Sequence, residues 1–565
     1  MANEKNNTET TEKGKKSFFR RNFLSLHFLL YFFAALLIVL FSSPENFWDF
    51  DSSTLLPLSV CCRRFLETAF LTAFLKQMVL LPAFYGAVLF LPGKKIRAFL
   101  TVTVLLALAL YSLLNSYLVF RYSCPASEMV VVLNSSDMQE VREYFASLFL
   151  ENKTFLFTGL ALLTAVPLYL TVAFLRLDPP ENKKTFALLW IGAALLIYLV
   201  PPYSGKFEFW RDLRAVDFLY HLSERDFFLV RAAEIVKNPQ FPAGSENALK
   251  DRIPVLGVMV LGESDCRRNH SLYGYGKNTD VKMAEFEGKD GFFRFHDHLS
   301  ATSSTQHSVY FMFTDARIRD KYGASSFSLC DWFRSAGASV TFLSNQRAHG
   351  AWSSMTALLF AEADQLEFYS DGSENTYDRI HLLPHARKKL EQLKHERKPA
   401  FVTLHLMGSH YVQQFRIDEE WRAANSEKLK GLDHYDQTLV YTDEILWTLA
   451  KDIEAMTRPA FLLYMPDHSE QLNSSRSART PDVIYYEIPV FLYCNAAYRN
   501  AFPDRMKKLS AVLKTPYQTD RAIWLLARLM DMPEKLIPAE DDLLSADFKI
   551  VPRYLEFGEK EYDEK

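Results

Sequence analysis

Hydrophobic positions follow two different patterns along this chain, and the change lies near Tyr203. Before it, long apolar stretches cover roughly residues 22–42, 66–92, 98–120, 155–175 and 185–202. Each stretch is close to the roughly 20 residues that a helix needs to cross the core of a bilayer. The pattern predicts a transmembrane domain of five spans over residues 1–203. The first stretch is too long and too aromatic for a cleaved signal peptide.

The second stretch is the least regular of the five, because Glu67 and Lys76 interrupt it. A charge inside a span commonly marks a functional cavity. Alternatively, the long Lys76 side chain extends to the membrane surface, or the span begins after it. The sequence leaves these interpretations open.

Positive charges at the ends of the stretches predict their orientation. Clusters of Lys and Arg precede the first stretch, separate the second from the third, and separate the fourth from the fifth. Five spans place these clusters on one side, which is cytoplasmic by the positive-inside rule; Arg63 and Arg64 are the exception. Everything after Tyr203 is then expected in the periplasm of a Gram-negative cell, with the chain anchored in the inner membrane.

Charge separates the same two parts of the chain. Residues 1–203 carry 18 Lys and Arg and 14 Asp and Glu, whereas residues 204–565 carry 46 and 53. The mean hydropathy of -0.07 therefore averages two unlike parts. The net charge of only -3 excludes a strongly basic nucleic-acid-binding protein. We expect a linker over residues 204–245 and a soluble domain over residues 246–565.

Short apolar runs in the second part alternate with helical patterns. The runs that predict buried strands are 253–261, 339–344, 399–406, 460–465 and 487–493, and the helical patterns are 329–336, 384–395 and 432–453. Strands that alternate with helices indicate an α/β domain around a mostly parallel sheet. In such sheets, binding sites form at the carboxyl ends of the strands.

Residues with metal-binding chemistry follow three of these strands. Glu263 follows the first strand, Asp467 and His468 follow the strand at 460–465, and His410 follows the strand at 399–406. Carboxylate oxygens and imidazole nitrogens are ligands that zinc uses. Thr305 stands in a Ser/Thr-rich run before an apolar helix start, where the helix dipole and free N–H groups favour an anion.

Each of these residues also has an ordinary structural explanation. Glu263 is compatible with a helix cap, Thr305 with a cap and loop, and Asp467-His468 with a polar surface pair. His410 alone is more often structural than catalytic. The combination of a hydroxyl, carboxylates and His at successive strand ends is what indicates a metal-dependent site.

Several blocks occur in order and carry a family resemblance. They are 132–140, 261–264 with Arg267 and 273–275, Thr305 before Ser308-Val309, 342–346, 404–410, 434–436 with 441–443, 464–470 and 487–489. Together they resemble the inner-membrane phosphoethanolamine transferases of the alkaline phosphatase/sulfatase superfamily. The resemblance implies an N-terminal five-helix transmembrane bundle followed by a periplasmic catalytic α/β domain.

The resemblance also implies site residues. Glu263, Thr305, Asp467 and His468 would hold one or two zinc ions, with Thr305 as the nucleophile. His410 would contact the transferred phosphate or a second metal. The run Ser344-Asn345-Gln346 resembles the branch that acts on heptose phosphate of the lipopolysaccharide core, which makes Asn345 a substrate-binding candidate.

The chain departs from the family's pattern after Asp467-His468. The family has a further His shortly after this pair, whereas residues 473–479 contain none. Arg476 and Arg479 are candidates to bind phosphate there, because a guanidinium suits phosphate geometry. The six Cys fit no zinc motif, and both free thiols and disulfides remain open.

The resemblance implies transfer of phosphoethanolamine from phosphatidylethanolamine to a lipopolysaccharide acceptor through a covalent Thr intermediate at zinc. The sequence does not distinguish lipid A, core heptose, another glycan or a protein as the acceptor. A glycerol-phosphate transferase, phosphatase or sulfatase of the same superfamily is one alternative. A non-catalytic envelope protein that binds lipid or a partner is the other.

Overall fold

The computed structural model describes residues 227–320, 324–347, 355–370, 376–410, 412–470, 483–555 and 560–563, with parts of 48–103 and of 184–192. The chain divides into two compact units, one of residues 1–134, 148–224 and 474–480, the other of residues 135–147, 225–473 and 481–565. The predicted spans at 22–42 and 155–175 lie outside the described residues, and the others are described only in part. Within the part that is described, no helix has both the length and the apolar character to cross a membrane.

The described part of the chain contains thirteen strands. They are β1 Trp48–Asp49, β2 Thr54–Leu55, β3 Leu256–Gly262, β4 Phe292–Phe295, β5 His298–Leu299, β6 Ser339–Arg347, β7 Gln365–Ser370, β8 Ala400–His405, β9 Ala460–Pro466, β10 Val490–Cys494, β11 Tyr517–Gln518, β12 Tyr554–Leu555 and β13 Lys560–Glu561. In the first unit, β1 pairs with β2 in an antiparallel arrangement.

A seven-stranded sheet forms the centre of the second unit. Its order is β4-β10-β9-β3-β8-β6-β7. The five strands from β9 to β7 are parallel, and β10 runs antiparallel to both β9 and β4. The amino end of β10 and the carboxyl end of β4 therefore lie at the edge of the sheet where β3 and β9 end.

Helices cover both faces of this sheet. They are α1 Phe227–Lys237, α2 Thr305–Phe313, α3 Leu329–Ser335, α4 Met355–Leu359, α5 Leu383–Leu393, α6 Glu419–Ala424, α7 His434–Glu454, α8 Ala496–Ala501, α9 Pro503–Ala511 and α10 Ala522–Leu529. Helices α1–α4 and α8–α10 contribute to one hydrophobic cluster, and α5–α7 contribute to the other.

The central strand β3 shows why the sheet needs both layers. All seven of its residues are buried. Met259 and Leu261 pack into one cluster, whereas Leu256, Val258 and Val260 pack into the other. Because side chains of a strand alternate between its faces, a continuous apolar run requires a hydrophobic layer on each side.

The predicted α/β architecture of the second part is confirmed. Each of the five predicted strands corresponds to a strand of the sheet, and the three helical patterns correspond to α3, α5 and α7. The strand at 487–493 is antiparallel rather than part of the parallel array. The edge strands β4 and β7 were not predicted, because their partly exposed residues do not form an apolar run.

The three described Cys are free thiols. Cys266, Cys330 and Cys494 are all buried. Burial raises the pKa of each thiol above its usual range, which keeps it protonated and unreactive. Cys61, Cys62 and Cys124 lie outside the described residues.

Candidate metal centre

The ends of β3 and β9 bring the first candidate residues together. These strands are parallel neighbours, and Gly262 is paired with Pro466 at their carboxyl ends. Glu263 directly follows β3, and Asp467 and His468 directly follow β9. The Asp467 N–H donates to the Gly262 carbonyl at 3.1 Å, which fixes the backbone at this point.

Glu263, Asp467 and His468 form a compact buried group. Their potential ligand atoms all lie within 4.8 Å of one another, and the residues are 2%, 0% and 7% exposed. His468 Nε2 is 3.5 Å from Glu263 Oε1 and 3.5 Å from Asp467 Oδ2. Asp467 Oδ2 is buried and has no hydrogen-bond partner among the described residues. Two carboxylates and an imidazole, with one buried oxygen unsatisfied, fit a zinc ion.

Thr305 adds a hydroxyl to this group. It is the first residue of α2, and its Oγ1 donates to Glu263 Oε2 at 3.1 Å. The same oxygen lies 3.4 Å from His468 Nε2. The N-terminus of a helix favours negative charge, so the position suits both an ionised hydroxyl and a phosphate attached to it.

A strained turn positions Glu263 and its neighbour Ser264. Ser264 has a φ of 53°, in the left-handed region that residues other than glycine seldom adopt. Its N–H donates to Asp467 Oδ1 at 3.2 Å, and its hydroxyl donates to Glu263 Oε1 at 2.7 Å. The Tyr435 hydroxyl of α7 donates to the Ser264 carbonyl at 2.8 Å and accepts from the Cys266 N–H at 2.8 Å. Such a conformation persists only where its surroundings hold it.

Gly408 approaches this turn from the loop after β8. Its φ is 51°, and a Cβ at this position would lie 2.9 Å from the Glu263 carbonyl oxygen and 3.1 Å from Glu263 Cβ. The Ser409 N–H donates to the same carbonyl at 3.1 Å. Asp378 holds the loop by accepting from the N–H groups of Met407 and Gly408, each at 2.9 Å. Close packing of two backbones therefore requires glycine here.

The two carboxylates of the group titrate very differently. Burial, together with the charge of Glu263, raises the pKa of Asp467 from 3.8 to about 7. Burial would also raise the pKa of Glu263, but positive charge on His410, His468 and His405 lowers it to about 2. Burial lowers the pKa of His468, yet the two carboxylates outweigh it and raise that pKa overall. A divalent cation would relieve the repulsion between the carboxylates.

His410 lies beside this group without joining it. It follows β8 on the loop that contains Gly408, and it is half-buried. Its carbonyl accepts from Arg416 Nε at 2.9 Å, and its charge lowers the pKa of Glu263. His410 is not among the described residues whose ligand atoms lie within 4.8 Å of one another. Its position is that of a basic group next to the metal ligands.

Asn345 and Gln346 at the end of β6 occupy different environments. Asn345 is fully buried and donates to Asp378 Oδ1 at 2.8 Å. Gln346 Nε2 donates to Glu263 Oε2 at 2.8 Å and to the Leu406 carbonyl at 3.0 Å. The structure thus brings Gln346 to the group, whereas Asn345 supports the loop after β8 through Asp378.

The structure brings together Glu263, Thr305, Asp467 and His468, as the sequence predicted. It adds Gln346, Ser264 and Tyr435, which sequence reasoning did not identify as site residues. Arg476 and Arg479 lie outside the described residues.

The second unit of this chain is similar to known proteins. Residues 256–520 match the sulfatase family model. Phosphoethanolamine transferase EptC of Escherichia coli O18:K1:H7 is 23% identical over 291 residues, 46% of this chain and 49% of that protein. Phosphoethanolamine transferase EptA of Escherichia coli O157:H7 is 25% identical over 317 residues, 51% of this chain and 55% of that protein. The chain thus spans about half the length of these curated relatives.

One solved structure extends the likeness beyond the second unit. The integral membrane protein lipooligosaccharide phosphoethanolamine transferase A (EptA) from Neisseria meningitidis matches with a TM-score of 0.59 and 18% identity. The match covers 92% of this chain and 98% of that structure, and it shows a shared fold. The match of residues 256–520 to the sulfatase family model and the likeness to phosphoethanolamine transferases confirm the family resemblance predicted from the sequence.

Proposed function

We infer that the chain is a metal-dependent phosphoethanolamine transferase that uses Thr305 as its nucleophile. The observation that carries this inference is the hydrogen bond from Thr305 Oγ1 to Glu263 Oε2, within a buried group of metal-binding side chains. The curated relatives named above are phosphoethanolamine transferases. The proposed donor is phosphatidylethanolamine, and the proposed acceptor is a phosphate or hydroxyl of lipopolysaccharide, on core heptose or on lipid A.

The proposed metal is zinc, held by Glu263, Asp467 and His468 together with Thr305 Oγ1. Zinc bound there would supply Lewis acidity, which lowers the pKa of the Thr305 hydroxyl and offsets negative charge on the phosphate. Glu263 accepts the hydrogen bond of Thr305 and therefore orients its oxygen. Ser264 donates to both carboxylates through its N–H and hydroxyl groups, which keeps them in ligand geometry.

The chemistry has two balanced steps. Thr305 Oγ, which would lose its proton to solvent when the metal binds and is regenerated as the alkoxide at the end of the cycle, attacks the phosphorus: an O–P bond forms, and the bond from phosphorus to the diacylglycerol oxygen breaks in line. The released diacylglycerol oxygen takes a proton, for which His410 is the proposed source. An acceptor oxygen then attacks the phosphorus, loses its proton to the same group, and releases Thr305. Arg476 and Arg479 are proposed to bind phosphate. Asn345 is proposed to support the loop after β8 through its hydrogen bond to Asp378.

The proposed location is the inner membrane, with the domain of residues 246–565 in the periplasm. The five apolar stretches of residues 1–203 support a membrane anchor, followed by a linker at 204–245. Phe90, Phe99 and Leu188 of the first unit are exposed large apolar side chains, which a lipid environment would cover. An anchor of this kind would keep the enzyme in the membrane that carries its lipid donor.

The test uses full-length, zinc-loaded protein and labelled phosphatidylethanolamine. Thr305→Ala removes the nucleophile, so we expect release of diacylglycerol to fall at least about a thousandfold, as when a covalent nucleophile is removed. Thr305→Ser keeps a hydroxyl and should retain a measurable rate. Mass spectrometry of the wild-type protein quenched during turnover should show one phosphoethanolamine group on Thr305.

A matched control is the neighbouring residue Ser304. Its hydroxyl bonds to His307 Nδ1 at 3.0 Å, and His307 is not one of the proposed metal ligands, so Ser304→Ala should stay within a few-fold of the wild type. Turnover of phosphatidylglycerol in place of phosphatidylethanolamine would identify a glycerol-phosphate transferase instead. A native rate of diacylglycerol release in Thr305→Ala would exclude Thr305 as the nucleophile.

A further inference from the structure

A second polar feature lies at the same edge of the sheet and takes no part in the metal group. It is a cleft of about 570 Å³ whose polar lining is Arg267, Arg268, Tyr273, Arg294, His296 and Glu487. We refer to it as the arginine cleft. Arg267 and Glu487 belong to sequence blocks that carried the family resemblance, yet the metal group uses neither of them.

The strand pairing places this cleft close to the metal group. Val490 of β10 pairs with Phe295 of β4, so Arg294 and His296 lie at the carboxyl edge of β9 and β3. Arg267 is only four residues after Glu263, a distance of at most about 14 Å along an extended chain. The arginine cleft and Thr305 therefore fall within reach of one elongated substrate.

Backbone hydrogen bonds connect the two features directly. The Asp265 N–H donates to the His468 carbonyl at 2.9 Å, and the Arg267 N–H donates to the Glu487 carbonyl at 3.0 Å. The Ser469 N–H donates to the Tyr485 carbonyl at 3.0 Å. The chain segments that carry the metal ligands thus continue into the lining of the cleft. The position of the cleft relative to the metal group is therefore fixed by the backbone.

The lining of the cleft is positively charged and organised. Glu487 is its only lining carboxylate among the described residues, against three guanidinium groups. Arg268 makes a two-bond pair with Glu487, at 2.6 and 2.9 Å, which fixes the plane of the guanidinium while 56% of the side chain stays exposed. Arg267 donates to the His296 carbonyl at 2.8 Å, and Arg294 lies 5.5 Å above the ring of Tyr273. Fixed guanidinium groups bind phosphate oxygens in two-bond geometry.

The titration of His296 agrees with this positive charge. Burial lowers the pKa of His296, and Arg294, Lys514 and Arg267 lower it further, more than Glu287 raises it. The ring is therefore neutral at physiological pH in a cationic environment. Glu287 pairs with Arg294 at 3.0 Å, but its side chain is 49% exposed, so solvent screens that pair.

We propose that the arginine cleft binds a phosphate group of the acceptor glycan, beside the group that Thr305 transfers. The ligand class is a phosphorylated oligosaccharide, recognised through charge and planar guanidinium geometry rather than through its lipid. This deepens the proposed function, on which it rests, and assigns acceptor recognition to residues separate from the metal group.

The experiment uses full-length, zinc-loaded protein and two soluble probes. One is a phosphorylated core oligosaccharide of lipopolysaccharide, and the other is the same oligosaccharide after enzymatic dephosphorylation. Arg268→Gln and Arg294→Gln should each raise the KM for the phosphorylated probe about tenfold, as expected for one charge-assisted bond. The KM for the dephosphorylated probe and the acceptor-free release of diacylglycerol should not change. Arg268→Lys should recover part of the loss because it keeps the charge.

Arg387→Gln is the matched control. Like Arg268, Arg387 makes a two-bond ion pair with a carboxylate, Asp452, and its side chain is 55% exposed, but it lies on α5 outside the arginine cleft. It should leave all three quantities unchanged. Inorganic phosphate should compete with the phosphorylated probe in the wild type and lose this effect in Arg268→Gln.

Calorimetry separates this inference from the proposed function. Titration of each probe into wild type and Arg268→Gln measures binding without any turnover. If the wild type releases no diacylglycerol but binds the phosphorylated probe about tenfold more tightly than Arg268→Gln does, the function fails and the cleft assignment stands. If the wild type is active but both glutamine variants keep KM values within twofold, the cleft assignment is overturned. Equal affinity of the wild type for the two probes also overturns it.

Discussion

The metal group and the arginine cleft share one edge of a sheet but differ in almost every physical respect. Glu263, Asp467 and His468 are nearly inaccessible to solvent and offer two carboxylates and an imidazole to a metal ion. The arginine cleft is open, is positively charged, and contains Arg268, whose side chain is 56% exposed. The first arrangement suits a cation, and the second suits an anion.

Because the metal group is buried and the cleft is open, we expect the geometry of the metal group to depend more strongly on the surrounding backbone. The metal group depends on a left-handed Ser264, on Gly408 packed against Glu263, and on the Tyr435 hydroxyl. A small displacement of any of these changes ligand geometry. In the cleft, Arg268 and Arg294 are long side chains that are 56% and 24% exposed, so their substitution alters charge more than backbone position.

The loss of a metal ligand should have the largest effect, and this effect is on zinc affinity. Glu263→Gln should lower zinc affinity more than about a hundredfold, because loss of an outer-shell partner alone costs about 10–100-fold. Competition with a zinc chelator measures the affinity, and elemental analysis gives the stoichiometry. Arg294→Gln in the cleft should keep wild-type zinc affinity. Stoichiometric, tightly bound zinc in Glu263→Gln would remove Glu263 from the ligand set.

Replacement of Gly408 tests the coupling of the metal group to the backbone. Gly408→Ala should destabilise the domain by about 2–4 kcal/mol, from left-handed strain and a Cβ too close to Glu263. Zinc affinity should fall as well, since Glu263 must move. Gly431→Ala is the matched control: Gly431 has a φ of 81°, but a Cβ there meets nothing within 4 Å. It should cost about 1–2 kcal/mol and leave zinc affinity unchanged.

Urea unfolding measures the stability of each variant, and competition with a chelator measures its zinc affinity. If both glycine variants lose stability equally and Gly408→Ala keeps native zinc affinity, the close approach of Gly408 does not position Glu263.

The metal ligands could be predicted from the sequence because each follows a buried apolar strand. Glu263 and Asp467 directly follow β3 and β9, and neighbouring parallel strands end at the same edge. The order of strands along the chain, and the tendency of sites to form at the carboxyl ends of parallel strands, are enough to bring these residues together.

Gln346 could not be predicted in the same way. Adjacent residues of a strand face opposite sides, so a choice between Asn345 and Gln346 requires the phase of β6 at its end. The pairing of β6 with β7 is irregular between Ser344 and Arg347, and this irregularity is not visible in the sequence. The arginine cleft was missed for a related reason, because it depends on antiparallel pairing of β10 with the short strand β4.

The stability of the metal-free domain should depend on pH through Asp467. The pKa of Asp467 is raised to about 7 in the metal-free fold, so its contribution to stability is complete below pH 3.8 and is lost as the pH rises toward 7. The raised pKa of His468 acts in the same direction. Glu263, lowered to about 2, contributes stability above pH 4.5 and changes little between pH 5 and 7. The contribution of Asp467 to the stability of the metal-free domain, measured as the difference between the wild type and Asp467→Asn, should therefore fall from pH 5 to 7.

Zinc binding reverses this trend because it displaces the competing protons. Zinc affinity should rise about tenfold per pH unit for each proton released, up to about pH 7. The gap in Tm between zinc-saturated and zinc-free protein, measured at pH 5, 6 and 7 and one free zinc concentration, should widen with pH. A gap that is constant or narrows with pH would show that Asp467 is not the group displaced.

The smallest expected effect comes from Tyr435, whose hydroxyl bonds to the Ser264 turn. Tyr435→Phe keeps the buried ring but removes the hydroxyl that donates to the Ser264 carbonyl and accepts from Cys266. The loss should be about 1–2 kcal/mol of stability. Because the turn aims the Ser264 N–H at Asp467, zinc affinity should also fall, by about tenfold.

Tyr441→Phe on the same helix gives the control that decides between local and general effects. Tyr441 is equally buried, at 2%, and its hydroxyl donates to Asp418 at 2.7 Å and accepts from the Arg379 N–H at 3.3 Å, neither of which is a metal ligand. It should lose similar stability with no change in zinc affinity. If both variants lower zinc affinity equally, a general loss of stability in α7 is the cause. If only Tyr435→Phe does, one hydroxyl links α7 to the metal group, and the strained turn is part of the site.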